Sequence, residues 1–118
     1  MLHGEVRFVF YKKRNPDDHA GFDMIGGNAV GIFVNCVHQN GVVASGPNGL
    51  QRGDQILEYN GINFRDQTAE QALQEVLKPV DSVTVRAQYN YSKYKKVRLP
   101  FCLHEVQTNL MQFETIQM

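Results

Sequence analysis

The chain predicts a small α+β domain, and three observations carry that prediction. Short runs of β-forming residues recur over the first ninety positions, one clear amphipathic helix interrupts them late, and 118 residues suffice for a single core but not for two ordinary domains. Hydrophobic residues make up 42% of the chain, close to the globular average, so most of it should fold.

Glu5 to Lys13 is rich in β-formers (Val6, Phe8, Val9, Phe10, Tyr11) and reads as the first strand. Asn15-Pro16-Asp17-Asp18 reads as a loop, because Pro and Asp favour turns. Phe22 to Ile25 is a second strand, stopped by Gly26-Gly27-Asn28. Gly31 to Val37 is a third, and its continuous apolar centre, Ile32-Phe33-Val34, predicts burial on both faces. Val42 to Ser45 reads as a short helical turn, broken by Gly46-Pro47-Asn48-Gly49. Gln55 to Tyr59 and Ile62 to Phe64 flank Asn60-Gly61, a dipeptide that tolerates the positive φ of a hairpin turn. Thr68 opens the helix through a capping box with Gln71. Ala69, Ala72, Leu73, Val76 and Leu77 then form one apolar stripe. Pro79 ends the helix, and Ser82 to Tyr89 alternates as a half-buried strand. The division expected is an N-terminal extension over 1–4, a folded domain over 5–90, and a flexible C-terminal extension over 91–118 that leaves the domain surface at Tyr91.

Composition narrows the function. Twelve basic and twelve acidic residues cancel, which gives no electrostatic case for nucleic acid. No apolar run approaches the ~20 residues of a membrane span, and no secretory signal opens the chain. Cys36 and Cys102 lie far apart, without metal-ligand spacing, and read as free buried thiols of a cytosolic protein rather than a disulfide. His19, His38, His104, Asp54 and Cys36 are the residue types available for catalysis, but no Ser, Cys or Lys stands in an activated setting. Gly26-Gly27-Asn28-Ala29-Val30-Gly31 echoes a dinucleotide loop yet lies between two strands, with no helix to receive a phosphate. The reading is a non-enzymatic chain with no cofactor.

Four stretches resemble one family. Gly21-Phe22-Asp23-Met24-Ile25-Gly26-Gly27-Asn28 is similar to the second strand of a PDZ domain, and Gly31-Ile32-Phe33-Val34 to the third. Gly41 to Gly61 resembles the family's most recognisable stretch, and Thr68 to Lys78 its peptide-groove helix. The resemblance spans roughly residues 5 to 90. Gly53 to Asn63 and Ala87-Gln88-Tyr89-Asn90 look most like membrane-associated guanylate kinase scaffolds of the discs large kind, with zonula occludens proteins second. The resemblance implies a partly open barrel or sandwich of five to six mostly antiparallel strands, capped by one long and one short helix. It also implies a site in which a partner's C-terminus adds as a strand between the second strand and the groove helix.

Where the family has Gly-Leu-Gly-Phe, this chain has His19-Ala20-Gly21-Phe22. The resemblance makes the amides of Ala20, Gly21 and Phe22 the donors to a terminal carboxylate, with His19 a departure that either caps the loop or, protonated, assists the anion. The terminal side chain would enter a pocket of Ala20, Phe22, Met24 and Val76, with Leu77 nearby and Asp23 and Ile25 completing the groove strand. Ala20 in place of Leu enlarges that pocket, which suits a flexible Met. In the family, a His at the start of the groove helix binds a Ser or Thr hydroxyl. Here the position is Ala69, followed by Leu73, and neither side chain offers a hydrogen bond. A preference for Φ-x-Φ tails follows, with Φ an apolar residue.

The chain's own end, Glu114-Thr115-Ile116-Gln117-Met118, fits that rule. It could fill the groove of the same chain or, head to tail, of a neighbour. The blander readings are a tail with incidental apolar residues, Phe22 and Met24 as plain core, Ala69 and Leu73 as sheet-facing residues, and Lys12-Lys13-Arg14 as a solvated strand end. The expected partners are C-terminal tails of membrane or cytoskeletal proteins, met in the cytoplasm at membranes or cell junctions. Self-assembly through the tail or an edge strand is the alternative.

Overall fold

The computed structural model describes residues 4–38 and 49–98. Within them the chain runs β1 (Arg7–Lys12), β2 (Phe22–Gly26), a 3-10 turn (Asn28–Val30), β3 (Ile32–Val37), β4 (Asp54–Tyr59), β5 (Ile62–Asn63), α1 (Ala69–Leu77), β6 (Ser82–Tyr89) and α2 (Tyr91–Tyr94). The six strands form one antiparallel sheet in the order β1-β6-β4-β3-β2, with β5 on β4. Among the described strands the sheet does not close on itself, and β1 and β2 are its two edges.

Local chemistry sets most of these elements. Val83, Val85 and Ala87 of β6 are fully buried while Thr84 is exposed, the alternation of a strand with one face on the core. Ile32 to Cys36 of β3 are buried on both faces, as the apolar run predicts. The Asn60-Gly61 hairpin forms with Asn60 at φ 48°, and the Asn60 side chain caps the turn by accepting from the Thr84 amide at 2.8 Å. The α1 capping box is complete: Thr68 Oγ1 accepts from the Gln71 amide at 3.1 Å, and Gln71 Oε1 accepts from the Thr68 amide at 2.9 Å. Such a cap contributes ~1 kcal/mol. Here it fixes where Ala69 stands, as the first helical residue. The core joins β-strand residues such as Val9, Ile32, Val34, Ile56 and Val85 to Ala72 and Val76 of α1 and to Phe64.

β1 alternates in burial even though both of its faces are apolar in sequence. Val9 and Tyr11 face the core, whereas Phe8 and Phe10 are 66% and 67% exposed. Lys13 is not a solvated strand end. It is buried, and its ammonium donates to the carbonyls of Asp18 at 3.0 Å and Pro16 at 3.5 Å, tying down the β1–β2 loop. Across the sheet, Arg7 donates to the Gly49 carbonyl and pairs with the fully buried Asp54. Burial raises the Asp54 carboxyl above its ordinary range, and hydrogen bonds from Arg7 and the Gln51 amide pull it back.

Two expectations need correction. Cys36 is disulfide-bonded rather than a free thiol. Cys36 therefore gives no support for a reducing compartment. Cys102 lies outside the described residues. Nor does the chain leave the surface at Tyr91. Asn90 caps α2 by accepting from the Lys93 amide, and Tyr94 is fully buried. Its hydroxyl donates to Asn35 Oδ1 at 2.7 Å and accepts from Arg52 Nε at 2.6 Å, and its ring lies 6.2 Å from that of Phe33. The short helical turn expected at Val42–Ser45 lies outside the described residues.

A candidate peptide groove between β2 and α1

A cavity of about 350 Å³ runs along β2 on the side facing α1. It is lined by His19, Ala20, Phe22, Asp23, Met24, Ile25, Ala69, Leu73, Val76 and Leu77, together with Asp17, Asp18 and Ile32. Every groove residue singled out from sequence except Gly21 therefore borders one space. Asp17, Asp18 and Ile32 were not foreseen. Ile32 arrives through the β2–β3 register, in which it pairs with Gly26, and a pairing register is not visible in either strand alone.

The cavity borders a sheet edge. β2 pairs only with β3 among the described strands, so its outer backbone groups are available to another strand. α1 stands beside that edge and keeps large apolar side chains in water: Leu73 is 49% exposed and Leu77 66%. At one end the turn after β2 approaches the start of α1. A Cβ on Gly27 would lie 2.9 Å from the Ala69 amide nitrogen, so a side chain there would push the helix off the strand.

At the other end the loop before β2 is held from below. Tyr11 Oη donates to the Ala20 carbonyl at 2.9 Å, and the His38 amide donates to the Gly21 carbonyl at 2.9 Å. In a trans peptide the N–H points opposite the C=O. With both carbonyls drawn into the protein, the Gly21 and Phe22 N–H groups are turned away from those partners. Gly21 takes φ +93°, a conformation that a side chain would strain. Tyr11 is buried, and burial raises its phenol well above the ordinary range, with the neighbouring Tyr59 adding to the effect. It stays a neutral donor to the loop.

Imidazoles crowd this end. The His19 and His38 ring centroids are 4.9 Å apart. His38 Nε2 lies 3.4 Å from Asp23 Oδ1, and His19 Nδ1 accepts from the Gly21 amide at 3.3 Å. Among the described residues no group of three or more His, Cys, Asp or Glu side chains is arranged to hold a metal ion. No helix among them is long and apolar enough to cross a membrane. Glu114, Thr115, Ile116, Gln117 and Met118 lie outside the described residues.

The PDZ domain family profile matches residues 10–88, about two thirds of the chain. The chain belongs to the PDZ family. As a PDZ domain it is a protein-interaction module. Mouse Disks large homolog 5 is 40% identical over 94 residues, covering 80% of this chain and 5% of that protein. Human Disks large homolog 3 is 36% identical over 96 residues, covering 77% of this chain and 11% of that protein. The solution structure of the third PDZ domain of human Dlg5 superposes with a TM-score of 0.62 at 36% identity, over 74% of this chain and 71% of the other. The PDZ domain of choanoflagellate SHANK1, bound to a GIRK3 peptide, superposes with a TM-score of 0.62 at 26% identity, over 76% and 97%. The resemblance to discs large scaffolds agrees with these relatives. The chain spans only about a twentieth of the Disks large homolog 5 proteins it matches.

Proposed function

We propose that this PDZ domain captures the C-termini of partner proteins by strand addition to β2, with a preference for tails ending Φ-x-Φ. The observation that carries the preference is the groove face of α1. Its contributions to the cavity are Ala69, Leu73, Val76 and Leu77, none of which has a side-chain hydrogen-bonding group. A Ser or Thr hydroxyl placed two residues before the terminus would lose water without a side-chain partner there, whereas an apolar side chain would gain burial of roughly 1.5–3 kcal/mol. The terminal carboxylate would meet the amides of Ala20, Gly21 and Phe22, and a long terminal side chain such as Met would enter beside Ala20, Phe22 and Val76. The peptide-bound SHANK1 relative supports peptide binding by a domain of this fold. The partners we propose are membrane or cytoskeletal proteins that the domain gathers at membranes or cell junctions in the cytoplasm.

Fluorescence polarisation with two labelled peptides tests the preference: one ends Ile-Gln-Met, and the other has Thr in place of Ile. The wild type should bind the first about tenfold more tightly, and Ala69→His should narrow or reverse the ratio by giving the hydroxyl a partner. Equal affinities in the wild type would sink the proposed selectivity.

A second reading rests on the chain's own Ile116-Gln117-Met118, which obeys the same rule. In it the tail occupies the groove in cis or of a neighbouring chain, and the domain assembles rather than adapts. Deleting residues 112–118 should then lower the size in solution or open the groove to added peptide. No change in either would remove this reading.

A further inference from the structure

The loop that should receive a carboxylate already has one amide engaged from within. Gly21 N–H donates to His19 Nδ1 at 3.3 Å. Neutral imidazole can accept there, but an imidazolium has protons on both ring nitrogens and cannot. We propose that His19 is an internal competitor for the carboxylate-binding amide of Gly21, and that its protonation releases that amide and tightens peptide binding. The inference rests on the peptide-binding reading above and adds a control element to it.

The surroundings favour such a switch. His19 is exposed on the loop, outside the core. Its ring rests against His38, whose Nε2 lies 3.4 Å from Asp23 Oδ1. The other charged groups at this end are Asp17 and Asp18 in the same loop and Lys13 beneath it, bound to the Asp18 carbonyl. α1 brings only apolar side chains to the cavity. An imidazolium at position 19 is therefore flanked by carboxylates and sits at the mouth of an anion site. Loss of the competing acceptor and attraction for the incoming carboxylate act in the same direction.

The test uses the whole chain and an N-acetylated peptide ending Ile-Gln-Met, titrated between pH 5.5 and 8.5. In that window imidazoles, with an average pKa near ~6.5, change charge while carboxylates do not. The wild type should bind roughly 3- to 10-fold more tightly at pH 5.5 than at 8.5, the scale of one exchanged hydrogen bond. His19→Ala should bind tightly with no slope. His19→Asn, whose side-chain oxygen can accept from the Gly21 amide at every pH, should bind weakly with no slope. His38→Gln should keep the slope. Parallel pH curves for wild type and His19→Ala, or tight binding by His19→Asn, would overturn the proposal. A second measurement needs no peptide: in nitrogen-15 NMR of the free chain, the Gly21 amide resonance should track the His19 titration in the wild type and stay still in His19→Asn. An unmoved Gly21 resonance in the wild type overturns the proposal whatever the peptide does. If the matching C-terminal carboxamide peptide binds as well as the free acid, it is the peptide-binding reading that fails.

Discussion

The two faces of β3 make opposite use of their side chains. On the groove side, Ile32 and Val34 join a core that opens into the cavity beside β2, and the flanking helix leaves Leu73 and Leu77 largely in water. On the other side, Phe33 and Asn35 meet Tyr94, a side chain with no exposed surface whose hydroxyl both donates and accepts. The rear is closed and hydrogen-bonded; the front is open and apolar. Stability should therefore reside mainly at the back and recognition at the front, although one strand separates them.

Substitutions can test this separation, and the largest effect is expected at the rear. Tyr94→Ala should cost about 3–5 kcal/mol, because it removes a buried ring and strands Asn35. Urea unfolding would measure that loss, while the peptide affinity of the folded protein should stay within about twofold. A large change in affinity with little change in stability would erase the division. At the front the reverse is expected. Leu73→Asp should weaken Φ-x-Φ peptide binding tenfold or more, about 1.4 kcal/mol, with stability changed by ~0.5 kcal/mol or less. Calorimetric titration alongside thermal unfolding would separate the two quantities.

Tyr11 belongs to both halves, since it is a core residue that orients the loop. Tyr11→Phe should cost about 1 kcal/mol of stability at neutral pH and weaken peptide binding by a few-fold, because the Ala20 carbonyl loses its donor. Burial raises the Tyr11 pKa in the folded state. Its contribution is therefore complete below about pH 10, where an unfolded tyrosine ionises, and is lost as pH rises further. Unfolding curves between pH 8 and 11 should fall less steeply in Tyr11→Phe than in the wild type. The Tyr59 phenol, also raised by burial, leaves a residual slope.

The front was more legible in the sequence than the rear, for a physical reason. Capping boxes, hairpin dipeptides and strand alternation act over a few residues, so Thr68-Gln71, Asn60-Gly61 and the β6 pattern could be read directly. The bounds of β6, Ser82 to Tyr89, match those expected. Tyr94 falls in the stretch expected to leave the domain surface, because its partners Arg52 and Asn35 lie 42 and 59 residues away and no local pattern announces them. β1 is apolar on both faces, so alternation could not tell that Tyr11 faces in and Phe8 and Phe10 face out. The buried role of Lys13 was hidden in the same way, inside what read as a basic strand end. The loop hydrogen bond of His19 was half legible: a His where the family has Gly pointed to a cap, but only the folded loop shows which amide it takes.

The central claim is that the loop from Ala20 to Phe22 receives a free carboxylate at the end of an apolar groove. It is tested most directly by comparing a peptide ending Ile-Gln-Met as the free acid with the same peptide as its C-terminal amide, by calorimetric titration into the full chain. The free acid should bind and the amide should bind at least tenfold more weakly, as expected when charge-assisted hydrogen bonds are lost. Equal affinities for the two would contradict the account.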